Sequence, residues 1–289
     1  MIKVLVTGAN GQLGQSFRYW ASRFPKFEFT FSDLPELDLT NDLQLTHYFE
    51  KNTTDYVFNC AAYTEVDKAE EEIVLAHKLN ELAVEKLCEL AKKHRFRLVH
   101  FSTDYVFDGT NENPYKETHP HAPQSVYGAS KSKGERALLN TDIDAWIVRT
   151  SWLFSPYGKN FVKTIFSLLQ NKTEINVVAD QTGAPTYAID LAKSILEALA
   201  QRSFGKGTSV YHITNEGSTT WHEFALKIKE LINADCEIKP VATEDYPTLA
   251  KRPKYSVLSN EKFKKEFKIK SRSWEWVLAD CLKKIKSES

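Results

Sequence analysis

Three glycines spaced by three, Gly8, Gly11 and Gly14, follow the short apolar run of residues 3–7 and open a stretch of helical periodicity over residues 12–23. With 11 glycines in 289 residues, roughly 0.02 such triplets are expected by chance. A plain strand-to-helix turn needs one glycine. Three at this spacing serve a tight turn at Gly8, a close backbone approach at Gly11 and close helix–strand packing at Gly14. The helix that starts there presents unpaired N–H groups and the positive end of its dipole, a setting for a pyrophosphate. The chain must therefore begin with a buried strand that turns directly into a helix. The same run is too short, and meets its glycines too soon, to be a signal peptide.

The rest of the first half repeats that pattern. Residues 27–32, 56–60, 97–102 and 145–150 read as strands. Between them lie helical stretches at 41–51, 73–94 and from Ser125 on, with Asn41 and Ser125 as capping residues. Such alternation predicts an α/β fold, a Rossmann-type doubly wound parallel sheet covered by helices on both faces. Residues 1–151 are expected to bind NAD(P), the sheet being completed by parts of 175–213. Residues 152–289 are expected to form mainly a smaller substrate-binding lobe at the carboxyl ends of the strands. There the reading is helix at 160–170, 188–200, 221–233 and 274–285, strand at 175–178 and 210–213, and irregular chain from Lys239 to the last helix. The basic excess over residues 261–286 reads as a solvated face.

Lys plus Arg equals Asp plus Glu, at 38 each, which gives no charge-based reason to expect nucleic acid or an anionic membrane as partner. No run approaches a membrane span. The four cysteines, Cys60, Cys88, Cys236 and Cys281, are far apart and form no Cys-x-x-Cys. They read as structural thiols of a reducing cytoplasm.

Two further signals fall at strand ends, where open parallel sheets bind ligands. Asp33 follows the second strand, with no arginine near it in sequence. A carboxylate there accepts from ribose hydroxyls and repels a 2′-phosphate, a lean toward NADH over NADPH. Asp38 and Leu39 follow on a loop within reach of an adenine. Ala61 and Ala62 end the third strand with small side chains, suited to a cofactor or to plain packing. Thr103 and Asp104 end the fourth, where a hydroxyl can hydrogen-bond a carbonyl oxygen. Tyr127, 24 residues after Thr103, is the one tyrosine of twelve with a lysine four residues on, Lys131, so both share a helix face. The ammonium is expected to lower the phenol's pKa. Nucleotide, Thr103 and Tyr127 then supply the hydride source, carbonyl partner and proton donor that a carbonyl reduction needs.

These motifs, taken together, resemble the extended short-chain dehydrogenase/reductases. The strings are Thr7-Gly-Ala-Asn-Gly-Gln-Leu-Gly14, Asn59-Cys-Ala-Ala-Tyr-Thr-Glu-Val-Asp-Lys-Ala-Glu70, Ser102-Thr-Asp-Tyr-Val-Phe-Asp-Gly109 and Tyr127-Gly-Ala-Ser-Lys131. Further on come Arg149-Thr-Ser-Trp-Leu-Phe154, Asp180-Gln-Thr-Gly-Ala-Pro-Thr186 and Arg252-Pro253 with Ser256 and Leu258. Within that group the set is similar to the dTDP-4-dehydrorhamnose reductase family. The resemblance implies that Gly11, Gln12 and Leu13 hold the pyrophosphate and that Asp38 and Leu39 flank the adenine. It places Ala62, Tyr63 and Thr64 along the cofactor and sugar. Tyr127 becomes the proton donor, Lys131 its partner and a ribose ligand, and Thr103 the carbonyl-side hydroxyl. Thr103, Asp104, Tyr127 and Trp152 contact the sugar; Arg252 meets the substrate's diphosphate. Without the family, Trp152 reads as a core or rim aromatic.

The implied activity is reduction of a nucleotide-linked 4-keto-6-deoxyhexose, feeding polysaccharide synthesis. Open alternatives are another UDP-, GDP- or dTDP-linked keto-hexose, and a non-catalytic NADP-binding relative such as the regulatory subunit of methionine adenosyltransferase. Some family members use Mg2+ at a dimer contact. No carboxylate cluster marks one here, His119 and His121 read as solvated loop residues, and no metal is assigned. Monomer and homodimer both remain open.

Overall fold

A computed structural model describes residues 1–201 and 205–288. Its first half runs β1 (Ile2–Thr7), α1 (Gln12–Ala21), β2 (Phe27–Ser32), α2 (Asp42–Lys51), β3 (Tyr56–Asn59), α3 (Ile73–His77), α4 (Ala83–His94), β4 (Arg97–Thr103), α5 (Val126–Leu139) and β5 (Ala145–Thr150). A π segment, Lys78–Leu82, joins α3 to α4 without a break. Asn41 and Ser125 cap α2 and α5 through their side chains, as their residue types predict. The second half runs β6 (Leu153–Phe154), α6 (Phe161–Asn171), β7 (Glu174–Val178), β8 (Thr182–Gly183), β9 (Thr186–Tyr187), α7 (Ala188–Gln201), β10 (Thr208–His212), β11 (Thr219–Thr220), α8 (Trp221–Ile232), β12 (Glu237–Val241), α9 (Glu261–Phe267) and α10 (Trp274–Glu288).

Six strands form one sheet in the order β10-β5-β4-β3-β1-β2, every pairing parallel. From β1 the chain steps outward to β2, then crosses back to β3 on the other side. The crevice at the carboxyl ends of β1 and β3 is thus the topological switch point, where doubly wound sheets bind ligands. One sheet face packs Val4, Phe58, Phe101 and Val148 against α1, α7 and α9. The other packs Leu5, Val57, Leu98 and Ile147 against α2, α4 and α5. A separate cluster, including Val162, Val177, Phe224 and Val277, joins α6, β7, α8 and α10.

Of residues 175–213, β10 completes the main sheet, but β7 pairs with β12 in a small sheet of its own. The stretch after Lys239 is less irregular than its Pro and Lys content suggests. β12 begins before it, and α9 turns Phe263 and Phe267 into the main core while its lysines face outward. Residues 202–204 and 289 of the 152–289 segment lie outside the described residues.

The glycine turn accounts for its own sequence. Gly8 sits at φ +60°, and a Cβ there would lie 2.6 Å from the Ala61 backbone nitrogen. The chain just after β3 therefore presses on the first turn, which explains the glycine at position 8. A Cβ on Gly14 would meet the Gly8 carbonyl oxygen at 2.4 Å. Gly14→Ala is expected to lower stability by about 1–3 kcal/mol through this backbone clash. Gly205→Ala, with open space around its Cβ, should stay within about 0.5 kcal/mol of the parent. Urea midpoints of the two variants check both.

Candidate active site

At the switch point, α1 begins at Gly11 with no side-chain cap and no acidic residue in its first turn. Its first N–H groups and dipole therefore remain available to an anion. The Gln12 side chain turns away from the turn. Its Oε1 accepts from Ser155 Oγ (2.9 Å) and Asn160 Nδ2 (3.1 Å), tying α1 to the segment after β5. Leu13 and Gly14 are buried in the helix.

The Asp33 carboxylate accepts from the backbone N–H groups of Asn10 (2.7 Å) and Leu34 (2.9 Å) and so braces the glycine loop. The fold also brings an arginine close where the sequence shows none. The Arg18 guanidinium lies 4.2 Å from the centre of the Phe31 ring, two residues before Asp33. Asp38 is likewise engaged, accepting from the N–H and hydroxyl of Thr40 at 2.8 Å each. Asp38 and Leu39 border a cleft of about 780 Å³ between α2 and the π segment with α4.

Tyr63 is held at its backbone by Asn80 of the π segment. The Asn80 Oδ1 accepts from the Tyr63 N–H (2.9 Å), and Nδ2 donates to the Tyr63 carbonyl (3.0 Å) and to Ser130 Oγ (3.0 Å). Asn80 thus fixes the strand-end loop of Ala61, Ala62, Tyr63 and Thr64 against α5. A buried asparagine inside a leucine-periodic helix was the available signal for it, and the π segment places it where an α-helical register would not.

Thr103, Asp104 and Tyr127 do converge. The Thr103 hydroxyl donates to Asp104 Oδ1 at 2.9 Å and accepts from the Tyr105 N–H at 3.2 Å. It also faces the Tyr127 hydroxyl closely enough to influence its ionisation. Burial pushes the Asp104 carboxyl up to about 6, against hydrogen bonds from Ser256 and Thr103, and its Oδ2 is buried with no hydrogen-bond partner.

The expected tuning of Tyr127 is reversed. Burial pushes the phenol up to about 12; the nearby Thr103 hydroxyl pulls it down, and the Asp104 carboxylate adds to the rise. Lys131 does not lower it, because Nζ is turned inward. It donates to the Phe101 carbonyl at 2.6 Å and lies 3.3 Å from His100 Nε2. Burial lowers Lys131 itself to about 8, opposed by Glu135 and Cys60.

Beneath the site lies a buried charged cluster. Glu135 of α5 takes Arg149 of β5 through Nε (2.9 and 3.1 Å) and Nη2 (2.7 Å), and accepts from Ser102 Oγ at 2.5 Å. His121 belongs to it, which corrects its reading as solvated. Its Nδ1 is 2.8 Å from Ser132 Oγ and its Nε2 is 2.6 Å from Arg149 Nη2. His119 stays outside, its Nδ1 accepting from the Lys116 N–H. An arginine within an otherwise apolar strand was the sequence signal that a buried partner must exist.

Trp152 stands at φ +46°, a strained position for a residue with a Cβ. Its indole stacks on Trp221 with centroids 3.4 Å apart and planes 7° from parallel. Gly183 abuts its edge, where a Cβ would come within 2.3 Å of the ring. Arg252 is already paired: Nη1 and Nη2 donate to the two Asp67 oxygens at 3.1 and 2.6 Å. Among the described residues no group of three or more His, Cys, Asp or Glu is arranged to hold a metal. The four cysteines are free, and no described helix is long and apolar enough to cross a membrane.

Residues 2–287 match the family described as RmlD substrate binding domain. The dTDP-4-dehydrorhamnose reductase of Aggregatibacter actinomycetemcomitans is 39% identical over 287 residues, covering 96% of this chain and 97% of that protein. The dTDP-4-dehydrorhamnose reductase of Burkholderia thailandensis is 40% identical over 300 residues, covering 99% and 100%. Among solved structures, the dTDP-4-dehydrorhamnose reductase of Bacillus anthracis in complex with NADP is similar at TM-score 0.92 and 37% identity, covering 98% of this chain and 99% of that one.

The cluster makes stability pH-dependent. Burial alone would raise Glu135, but hydrogen bonds from His121 and Arg149 outweigh it and hold the carboxyl well below its ordinary range. A depressed folded pKa gives stability that is present above the unfolded value and lost as pH falls. Urea midpoints measured from about pH 5 down to about pH 2 should fall more steeply in the parent than in Glu135→Gln. At neutral pH Glu135→Gln should be less stable by about 3–5 kcal/mol, since Arg149 is left buried without its counter-charge.

Proposed function

The chain belongs to the RmlD substrate binding domain family, and we propose that it reduces the C4 ketone of dTDP-4-dehydro-β-L-rhamnose to dTDP-L-rhamnose with NADH or NADPH as reductant. The observation that carries this reading is the meeting of Thr103, Asp104 and Tyr127 at the carboxyl end of β4, beside a switch point whose helix start is uncapped. The relatives' names supply the sugar.

The nucleotide fits this chain. Gly8, Gly11, Gln12, Leu13 and Gly14 offer backbone donors to its pyrophosphate, and Asp33, Asp38 and Leu39 line its adenosine end. Ala61, Ala62, Tyr63 and Thr64 lie along its middle, and Lys131 reaches the ribose next to the reacting ring. When bound there, it supplies the hydride that goes to sugar C4. Tyr127 carries its proton throughout the neutral range, because its phenol is pushed up to about 12, and passes it to the ketone oxygen as the hydride arrives. Thr103, its hydroxyl proton turned from Asp104 Oδ1, donates to the same oxygen. Trp152 covers the apolar face of the deoxysugar, and Arg252 can turn its fork from Asp67 to the diphosphate. Arg18 beside the end of β2 supplies a cation that the sequence neighbourhood of Asp33 lacks, and the Bacillus anthracis relative binds NADP.

The intact Thr103, Tyr127 and Lys131 set favours an enzyme over a binding-only relative. The test is a coupled assay: dTDP-glucose with the upstream dehydratase and epimerase, nicotinamide absorbance followed with NADH and NADPH separately. Turnover with the dTDP sugar is expected. Tyr127→Phe should lose about 10²–10⁴-fold in kcat while still binding nucleotide. Turnover with a UDP or GDP sugar alone would overturn the rhamnose assignment. Nucleotide binding without oxidation by any keto-sugar nucleotide would favour the binding-only alternative.

A further inference from the structure

A row of polar side chains crosses the sheet below the site and ends at Lys131. Thr7 and Asn59 are paired residues on β1 and β3, and Asn59 and His100 on β3 and β4. Thr7 Oγ1 lies 2.8 Å from Asn59 Oδ1, the Asn59 amide nitrogen 3.1 Å from His100 Nδ1, and His100 Nε2 3.3 Å from Lys131 Nζ. All four residues are 2% exposed or less, so their polar atoms must satisfy one another. A sheet interior is ordinarily apolar, and nothing in the proposed reaction uses the first three.

We propose that His100 is a positioning residue for Lys131: it is the second anchor of Nζ, and its ring proton changes nitrogen as Lys131 gains or loses charge. This rests on Lys131 being the partner of Tyr127. A charged Nζ has three N–H groups and no lone pair. The Phe101 carbonyl takes one and His100 Nε2 takes a second, which leaves the third for the phenol and ribose side. Burial, reinforced by Lys131, keeps the imidazole neutral well below the ordinary histidine range. With Nε2 accepting, the single ring proton sits on Nδ1, and the Asn59 amide must offer it an oxygen, a flip that an amide makes without changing shape.

When Lys131 is uncharged the order reverses. The amine has a lone pair, Nε2–H donates to it, and Nδ1 accepts from the Asn59 amide nitrogen, whose oxygen takes the Thr7 hydroxyl proton. The pair releases one proton in total: Nε2 receives the one that Nζ gives up, and the one on Nδ1 leaves. The charged and titratable groups that face Nζ are Glu135 from α5, Cys60 after β3 and His100 from β4. Glu135 is itself held by Arg149 and His121. With burial bringing Lys131 to about 8, both arrangements fall within the working range of the protein.

The direct test is nitrogen NMR of the full chain labelled at histidine, with the His100 signals identified by their loss in His100→Gln. From about pH 6.5 to 9.5, Nδ1 and Nε2 of His100 should exchange protonated and unprotonated character, and in Lys131→Met they should not. An unchanged pattern in the parent, or the same exchange in Lys131→Met, would overturn the proposal. This readout needs no turnover, so an exchange observed in a protein that reduces no sugar would sink the proposed reaction and leave the coupling standing.

Kinetics give a second reading. Loss of one hydrogen bond to a charged group should move the alkaline limb of the kcat/KM profile down by about one pH unit in His100→Leu. His100→Gln, which retains an acceptor, should restore it. Equal limbs in all three proteins would count against an anchoring role. Should His100→Leu not fold, the spectrum of the parent decides.

Discussion

Glu135 and Arg149, a carboxylate and a guanidinium shut away from water, hold α5 to the sheet. Each ion alone would be costly to bury, and removing either partner strands the other. Together, with Ser102 and His121 completing their hydrogen bonds, they fix α5 against the ends of β4 and β5. Thr103 follows Ser102 on β4, and Lys131 lies one helical turn before Glu135. Separation of α5 from β4 by even an ångström would part Tyr127 from Thr103 and Lys131 from the Phe101 carbonyl. The geometry of the candidate centre therefore depends on a charged pair buried beneath it.

The first half of the fold was legible because its signals are local. A β-branched run, a glycine turn and a leucine-periodic helix each identify themselves within a dozen residues, and Asn41 and Ser125 cap the helices they were expected to cap. The second half was harder for a physical reason. β12 is held by pairing with β7, about sixty residues away, and α9 by the fit of Phe263 and Phe267 into a core assembled from elsewhere. Neither interaction leaves a periodic trace where it falls.

The candidate site shows the same division. Spacing alone placed Tyr127 and Lys131 on one helix face and Thr103 at a strand end. What spacing cannot encode is direction. Lys131 turns inward to Phe101 and His100, so the phenol rises where an ammonium neighbour was expected to lower it. His121 looked like a loop residue because its partner, Arg149, is 28 positions on. Arg18 reaches the end of β2 only because α1 packs over it, and Arg252 finds Asp67 across 185 residues.

The Trp152–Trp221 stack links three positions that cannot vary one at a time. The left-handed backbone at Trp152 is tolerated because the stack and the close fit at Gly183 hold it. A side chain at Gly183 would evict the indole, and loss of Trp221 would leave the strained turn unsupported. Mutational effects at such contacting residues do not add. Any change in the shape of this wall is therefore expected to require replacement of the three as a set, so that it is inherited as a unit while the exposed positions around it drift independently.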